Sequence, residues 1–407
     1  MHAHGNSKAG TGLKFQNLSA KPRSSSTSLI FLNSIIQKNS NHIRSNFQSS
    51  SAMHNPLSIL LRPAALFFHG IVLLRNTLFD RHFFKAWQSP IPVVSIGNLS
   101  VGGTGKTPLV DWVVKYYLSI GCTPAIVSRG YRRESKGVQL VSDGQNILLG
   151  SRESGDETAM LAWNNPNAIV MVAEKRKDAI SYIVKRFAKR LPSVIILDDA
   201  FQHRQIHREL NIALINASEP FFNAKMLPEG RLREPLKNLK RANLIVLNKI
   251  SDPQKADTIE KKLDQTGTPV IKARLKTAEL VCVSGAFTTS EEARSMQEIK
   301  AFAFAGIASP ESFLESLKQE GVDIAAHRFF HDHAPYSVKK LQAIRKEAET
   351  KGLSLITTEK DYFRMLGHPE LIRIITSRPC YYLKIEIDIF EGKEKLQEML
   401  QKAVGVK

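Results

Sequence analysis

One stretch of this 407-residue chain, positions 93–119, constrains its fold more than any other. An apolar strand pattern at 93–99 runs into a turn rich in glycine, and a helix pattern follows at 109–119. Glycine has no Cβ, so the backbone N–H groups of such a turn can close around an anion. The positive dipole end of the following helix points at the same place. This order of elements predicts a phosphate cradle.

The side chains in the turn support this interpretation. They are Gly102, Gly103, Thr104, Gly105, Lys106 and Thr107, which we call the phosphate loop. Lys106 would supply a point charge for the β- and γ-phosphates of a nucleotide, and the hydroxyl of Thr107 is placed to hold Mg²⁺. The first glycine of the pattern G-x-x-x-x-G-K-[ST] would fall on position 100, which is Ser100. A Gly/Thr-rich surface turn is therefore the alternative interpretation.

Beyond this loop, apolar strand patterns alternate with helical stretches. The strand candidates are 123–127, 168–173, 193–197, 211–216, 243–247, 270–272, 301–304, 324–328 and 353–357. This alternation predicts an α/β fold of the P-loop NTPase type, with a mostly parallel sheet flanked by helices. Such sheets bind ligands at the carboxyl ends of their strands.

Composition divides the chain further. A shift near 265–300 predicts a boundary between a P-loop core, 91–290, and a smaller C-terminal α/β lobe, 291–407. Residues 1–52 are basic, rich in Ser and Asn, and free of acidic residues, so we expect them to be disordered. They are either a leader ahead of a start at Met53 or an organelle transit peptide.

Residues 53–90 form the next predicted region. The stretch 56–79 is long and apolar but is interrupted by Arg62, Pro63, His69 and Arg75. A spanning helix needs a run of about 18 or more apolar residues, whereas arginines among Leu and Phe suit a helix that lies in the membrane interface. The sequence therefore predicts a membrane-associated helix that does not cross the bilayer, and the alternative is a helix packed on the protein's own core.

Net charge limits the classes of binding partner, and cysteine usage indicates the cellular compartment. The formal charge is +19, and removing the six basic residues of positions 1–52 leaves +13. This excess favours anionic partners such as nucleic acid, a phospholipid surface or a phosphorylated substrate. Nucleic acid is not expected, because no basic groove interleaved with aromatic residues is visible. Three cysteines without a C-x-x-C pair are typical of a reduced, cytosolic protein.

Two pairs of adjacent acids fall at predicted strand or helix ends. Asp198 and Asp199 end an apolar strand, the arrangement by which P-loop proteins hold Mg²⁺. Asp156 and Glu157 precede the helical run 159–163. Helix capping explains one acid there. It does not explain two carboxylates at an anion-binding edge, where they are costly unless they bind metal or accept a proton.

Basic and aromatic side chains accompany these acids. They are Arg129 and Tyr131, Gln202 to Arg204, Arg231 and Arg233 of loop 227–235 (the arginine loop), and His331 to His333. Arginine forks suit phosphate oxygens, and the arginine loop could clamp the transition state of phosphoryl transfer. The pair of His333 and Asp332 favours assistance to proton transfer over metal binding.

Together these motifs resemble the tetraacyldisaccharide 4′-kinase family, the lipid A 4′-kinases of Gram-negative bacteria. The match covers roughly Met53 to the C terminus, and Ser100 in place of the first glycine is normal for that family. It rests, in the family's order, on Gly97-Asn-Leu-Ser-Val-Gly-Gly-Thr-Gly-Lys-Thr-Pro, Ser128-Arg-Gly-Tyr, Gly155-Asp-Glu, Asp198-Asp-Ala-Phe-Gln-His-Arg, Glu229-Gly-Arg-Leu-Arg-Glu-Pro, Asp332-His333 and Thr357-Thr-Glu-Lys-Asp.

The resemblance implies ATP-dependent phosphorylation of the 4′-hydroxyl of a tetraacylated glucosamine disaccharide 1-phosphate, at the cytoplasmic face of the inner membrane. It implies Asp156 as the general base with His333 beside it, and Asp199 and Thr107 as Mg²⁺ partners. It also implies active-site contacts from Tyr131, His203 and Arg231. To these we add Glu157 as a metal ligand, Lys106 as a catalytic group, Arg129 and Arg233 as substrate contacts, and a monomeric state.

A different class of protein stays open at this point. Asn248 and Lys249 resemble the start of the guanine-reading N-K-x-D motif, which would indicate a switch GTPase or a metal-delivery NTPase. The spacing argues against it, because the motif would put Asp at position 251, which is Ser251.

Overall fold

A computed structural model describes residues 56–219, 221–250, 252–283 and 299–405. The predicted leader, 1–52, part of the predicted lobe boundary, 284–298, and Ser251 lie outside these residues. Leu61–Lys407 forms one compact unit, and residues 1–60 form another, of which only the first residues of a helix are described.

The strands are β1 (Val93–Asn98), β2 (Pro124–Ser128), β3 (Gln139–Asp143), β4 (Ile169–Val172), β5 (Val194–Asp198), β6 (Leu210–Asn216), β7 (Leu244–Asn248), β8 (Val270–Cys282), β9 (Lys300–Ala305), β10 (Asp323–Phe329), β11 (Ser354–Thr358) and β12 (Cys380–Glu391). The α-helices are α1 (Pro56–Asp80), α2 (Lys106–Ser119), α3 (Ser151–Ser154), α4 (Asp156–Asn164), α5 (Arg176–Arg186), α6 (Pro253–Leu263), α7 (Pro310–Gln319), α8 (Val338–Thr350), α9 (Glu359–Leu366), α10 (Pro369–Ile375) and α11 (Lys393–Ala403).

The strands form one sheet in the order β10-β9-β11-β12-β8-β7-β6-β1-β5-β2-β4-β3. Neighbours run parallel except for β3 against β4 and β12 against β8. The predicted α/β fold with a mostly parallel sheet is confirmed, and each predicted strand has a counterpart. The two strands that the sequence analysis did not predict, β3 and β12, are the two that make these antiparallel pairs.

Helices cover both faces of the sheet, because the apolar side chains of a buried strand point alternately to either face. Val94 and Ile96 of β1 pack in a cluster with Val113 of α2, whereas Val93 packs in a separate cluster with Ile180 of α5. Successive strand side chains point to opposite faces, so strands as apolar as β1 must be covered by helices on both sides.

The long antiparallel pair of β8 and β12 joins the strands around β1 to those around β9 and β11. After β12, helix α11 packs back on the core, where Leu396 and Leu400 share the cluster of α2. The Tyr117 hydroxyl of α2 donates a hydrogen bond of 2.9 Å to the carbonyl of Leu400. The division into a core and a smaller lobe near residue 290 stays a prediction.

Helix α1 has one packed and one exposed side. Ala65 and Val72 are buried, whereas Leu66, Phe67 and Leu74 are 71%, 73% and 61% exposed. Within the described ranges, no helix combines the length and apolar character that crossing a bilayer requires.

Candidate active site

The phosphate loop lies between β1 and α2 and is paired along one side with the arginine loop. The N–H of Val101 donates to the carbonyl of Arg231 at 2.8 Å, and the N–H of Arg233 donates to the carbonyl of Leu99 at 2.7 Å. Ser100 lies between these bonds and forms a β-bridge with Leu232. An extended residue in such a pairing needs no glycine, which explains the departure from the common pattern at position 100.

The glycines of the phosphate loop are required where the backbone turns. Gly102 and Gly105 have φ values of 122° and 89°. A Cβ on Gly105 would collide with the side-chain amide of Asn248. That amide donates to the carbonyl of Thr104 at 3.0 Å, and the amide of Asn98 donates to the Thr104 hydroxyl at 3.1 Å. The loop is therefore held open by two asparagines at the ends of β1 and β7.

The charged groups at the end of β5 face Lys106. The Lys106 ammonium is 3.4 Å from Asn98 Oδ1 and 3.7 Å from Asp199 Oδ1. Arg233 Nη1 donates to both carboxylate oxygens of Asp199, at 3.1 and 3.0 Å. Burial raises the pKa of Asp199, but Arg233 and Lys106 outweigh burial and hold it well below its usual value.

Asp198 lies in a different environment from its neighbour. Its carboxylate is buried and accepts a hydrogen bond of 3.0 Å from the Ser128 hydroxyl. Burial, with Glu157 and Asp199 nearby, raises the pKa of Asp198 to about 6. Asp199 is thus the carboxylate of this pair that stays ionised to the lower pH, and its ligation of a cation stays a prediction.

A second group of charges lies at the start of α4. Asp156 is the first residue of α4, after the N-cap residue Gly155, and its Oδ1 accepts the N–H of Glu157 at 3.0 Å. Asp156 Oδ2 faces His333 Nδ1 at 3.8 Å and Arg364 Nε at 3.4 Å. Burial raises the pKa of Asp156, against the opposing effect of Lys360 and Arg364.

Glu157 connects this second group to the phosphate loop. The Thr107 hydroxyl lies 3.4 Å from Glu157 Oε2, and the Lys360 ammonium donates to Glu157 Oε1 at 2.6 Å. Lys360 lowers the pKa of Glu157 to about 2 against the effect of burial, so Glu157 is a carboxylate. Burial and the nearby Lys360 and Arg364 lower the pKa of His333 to about 3, so its imidazole is neutral.

The predicted substrate contacts surround these two groups. The Tyr131 ring packs edge-on against His333 at 5.3 Å between ring centroids, and Arg132 donates to the His333 carbonyl at 2.5 Å. Burial lowers the pKa of His203 to about 3, so it is neutral, and burial also lowers the pKa of Arg129, which lies in the field of Asp199. The roles assigned to these residues stay predictions.

The arginines of the arginine loop differ in availability. Arg233, a predicted substrate contact, is held by Asp199. Arg231 is half exposed, 3.1 Å from Glu219, and its Nε donates to the carbonyl of Val101, just before the phosphate loop. Arg231 is therefore the more exposed of the two arginines, and its contact with a bound phosphate stays a prediction.

Sequence reasoning missed the roles of Lys360 and Arg364. Lys360 appears in the sequence analysis only within the motif Thr357-Thr-Glu-Lys-Asp, and Arg364 does not appear there. Both contact residues more than 200 positions earlier in the chain. The one signal in the sequence is their four-residue spacing, which puts both on one face of a helix.

The oxygen donors fit Mg²⁺. Thr107, Glu157 and Asp199 offer a hydroxyl and two carboxylates beside the phosphate loop, and Mg²⁺ in kinases commonly uses one or two carboxylates together with phosphate and water. In the described part of the chain, no group of three or more His, Cys, Asp or Glu side chains is arranged to hold a metal alone. A cation here would therefore depend on phosphate and water for its other ligands.

A glycine cradle with a lysine at a helix start, ionised carboxylates beside it and a separate Asp-His pair define a P-loop phosphotransferase. A model of the tetraacyldisaccharide-1-P 4′-kinase family (LpxK) matches residues 57–405. The chain belongs to this family, which confirms the resemblance drawn from its motifs.

Similar proteins that carry the family's name support this assignment. A tetraacyldisaccharide 4′-kinase of Pelodictyon phaeoclathratiforme is 77% identical over 355 residues, which are 87% of this chain and 100% of that protein. The enzyme of the same name from Chlorobaculum tepidum is 51% identical over 349 residues, 86% of this chain and 98% of that protein. The crystal structure of LpxK from Aquifex aeolicus, in complex with ATP, is 30% identical with a TM-score of 0.68 and covers 86% of this chain and 99% of that chain.

Proposed function

We propose that this protein transfers the γ-phosphate of ATP to the 4′-hydroxyl of a tetraacylated glucosamine disaccharide 1-phosphate, a step of lipid A biosynthesis. Membership in the 4′-kinase family supports the acceptor, and the ATP complex of the Aquifex aeolicus relative supports the donor. The observation that carries the proposal is the 3.4 Å approach of Thr107 to Glu157, because it brings a proton acceptor, the adjacent Asp156, to the edge of the phosphate loop.

The phosphate loop would hold the nucleotide. The N–H groups around Gly102 and Gly105 would bind phosphate oxygens, and Lys106 would neutralise charge on them. Arg231 would contact the phosphoryl group as it is transferred. When bound, Mg²⁺ would neutralise further charge on the phosphates, held by Thr107 with Glu157 and Asp199.

Asp156 would take the proton of the acceptor hydroxyl. A hydroxyl is a poor nucleophile at neutral pH, and a carboxylate within reach relieves this as the bond to phosphorus forms. A carboxylate with a raised pKa is a stronger base than an ordinary one, and burial raises that of Asp156. Neutral His333 lies beside Asp156, with its Nδ1 3.8 Å from Asp156 Oδ2, and can influence the basicity of that carboxylate.

The acceptor would be presented at a membrane surface. The exposed Leu66, Phe67 and Leu74 of α1 give the helix an apolar side that suits insertion among lipid acyl chains without crossing. We place the protein as a monomer at the cytoplasmic face of the bacterial inner membrane, with residues 291–407 as a smaller lobe beside the P-loop core.

The proposal is tested by incubating the protein with [γ-³²P]ATP and an extracted lipid A precursor, followed by thin-layer chromatography. Label is expected in the lipid with the wild type and is expected to be lost with Lys106→Ala at an unchanged melting temperature. A folded wild type that labels no lipid would contradict the proposed function.

A further inference from the structure

Helix α9 sets two cations against the two adjacent carboxylates of α4. Lys360 and Arg364 are four residues apart and share one face of α9. Lys360 donates to Glu157 at 2.6 Å, and Arg364 Nε lies 3.4 Å from Asp156 Oδ2. Each carboxylate therefore has its own cation, supplied from the far end of the chain.

Arg364 is itself held in a fixed direction. Its Nη1 donates to Asp361 Oδ1 at 2.8 Å and to the carbonyl of Gly306 at 3.1 Å. Asp361 is fully buried and also accepts from the Thr358 hydroxyl at 2.7 Å and from the N–H of Gly306 at 2.9 Å. A guanidinium clamped on one edge can orient a carboxylate that meets its other edge.

Lys360 also contacts one ring nitrogen of His333. Its ammonium lies 3.4 Å from His333 Nε2. An ammonium only donates, so Nε2 must hold the lone pair and the proton must be on Nδ1. Asp332 lies 3.8 Å from Nε2, too far for a hydrogen bond that would reverse this choice. The Nδ1–H then faces Asp156, also at 3.8 Å and beyond hydrogen-bond distance, so the contact with Lys360 decides between the two forms.

We propose that Lys360 and Arg364 are positioning residues of the transfer site: Arg364 orients Asp156 towards the acceptor hydroxyl, while Lys360 holds Glu157 at the phosphate loop and fixes the Nδ1–H form of His333. The inference deepens the proposed function and rests on it for the identity of the reaction. A purely structural role, in which the two ion pairs only hold α9 against α4, makes different predictions.

The first test needs no turnover. The ligand-free protein is labelled with ¹⁵N-histidine, and the His333 signals are assigned by their loss in His333→Gln. The ring is expected as the Nδ1–H form in the wild type, and Lys360→Met is expected to release it towards the Nε2–H form. An Nε2–H ring in the wild type, or no change in Lys360→Met, would overturn the role of Lys360 whether or not the protein is a lipid kinase.

The second test separates positioning from stability by a double-mutant cycle in the lipid kinase assay. Arg364→Met is expected to lower kcat about tenfold or more with KM for ATP near its wild-type value, but to cost less than about threefold when Asp156 is already Asn. Arg364→Lys should recover part of the loss. Equal factors in both backgrounds would overturn the role of Arg364.

A matched control removes a different hydrogen bond between α4 and α9. The Asn164 amide of α4 donates to Glu359 of α9 at 2.8 Å, away from the reacting groups. Asn164→Ala is expected to lower the melting temperature while leaving kcat near the wild-type value. If it lowers kcat by the same factor as Arg364→Met, the contact of Arg364 with Asp156 serves only to hold the two helices together and the proposal is wrong.

Discussion

Glu234 of the arginine loop offers a prediction whose size can be worked out from its contacts. Its carboxylate is fully buried and accepts four hydrogen bonds. The donors are Arg75 Nη2 at 3.0 Å and Asn76 Nδ2 at 3.0 Å from α1, and Asn238 Nδ2 at 2.7 Å and Arg241 Nη2 at 2.7 Å from the segment after the loop. Glu234 therefore ties α1 to the loop that pairs with the phosphate loop.

Glu234→Gln keeps the shape of this side chain and removes its charge. Three donors converge on Oε2 and one on Oε1, so a glutamine that satisfies the three must turn its NH₂ towards the Arg75 guanidinium. Two poorly exposed arginines also lose their counter-charge. Removing one partner of a buried pair costs about 3–5 kcal/mol. For a unit of this size, an unfolding entropy of about 2.1 cal/mol/K per residue converts this cost into a melting temperature lower by about 4–7 °C.

The measurement is thermal unfolding by circular dichroism, with lipid phosphorylation followed in parallel. Turnover is expected to fall as well, because Arg233, the next residue back, holds Asp199. Glu229→Gln is the matched control in the same loop, since its partners Lys225 and Arg62 are exposed and surface pairs contribute little. If Glu234→Gln has the same melting temperature as the wild type, the buried carboxylate does not stabilise the loop and the reasoning is refuted.

Three further predictions follow from single side chains. Asp156→Asn is expected to lower kcat by about 10²–10⁴-fold with the melting temperature and ATP affinity nearly unchanged, because the Asn oxygen can accept the same N–H of Glu157 but cannot take a proton; near-normal turnover would transfer the base role to another group. Phe67→Asp, on the exposed side of α1, is expected to reduce co-sedimentation with anionic vesicles, whereas Leu191→Asp, an equally apolar exposed residue before β5, should not; equal loss in both variants would count against α1. Burial raises the pKa of Glu359 from 4.5 to about 7, so its ionisation disfavours the folded state increasingly from pH 4.5 to 7. Glu359→Gln should therefore stabilise the protein at pH 8 by up to about 3 kcal/mol and have little effect below pH 4.5, measured by urea unfolding; a gain independent of pH would contradict the assignment.

The sequence predicted the parts of the fold whose signals are local. The phosphate loop is recognisable because strand, glycines, Lys106 and helix follow one another directly. The buried parallel strands are equally visible, since each is a short run of apolar residues that needs no knowledge of its neighbours.

Strands that depend on a partner were harder to predict. β8 was expected at 270–272 but extends to Cys282. Its second half was not predicted because it is rich in polar residues. It is stabilised by ion pairs with β12, such as Lys276 with Glu386 at 2.9 Å and Arg274 with Asp388 at 2.9 Å. β12 does alternate apolar and charged residues at 383–389, a signal that could have been found. β3 is short and half-buried and carries little pattern of its own.

In the site, too, features with a local sequence signal could be predicted and features that depend on distant contacts could not. The order of motifs identified the family, and the acids at strand and helix ends indicated the edge of the sheet where the site lies. Which acid pairs with which base depends on contacts that the chain makes only when folded, such as Lys360 with Glu157 or Arg233 with Asp199.

The position of the new phosphate tests the central claim most directly. We propose that Asp156 and the phosphate loop direct transfer to a sugar hydroxyl, so the ³¹P NMR spectrum of the purified lipid product should contain two separate phosphate monoester signals, and Lys106→Ala should give only the single signal of the precursor. A product with the coupled signals of a diphosphate would mean that the phosphate was added to the existing 1-phosphate, and it would contradict the account.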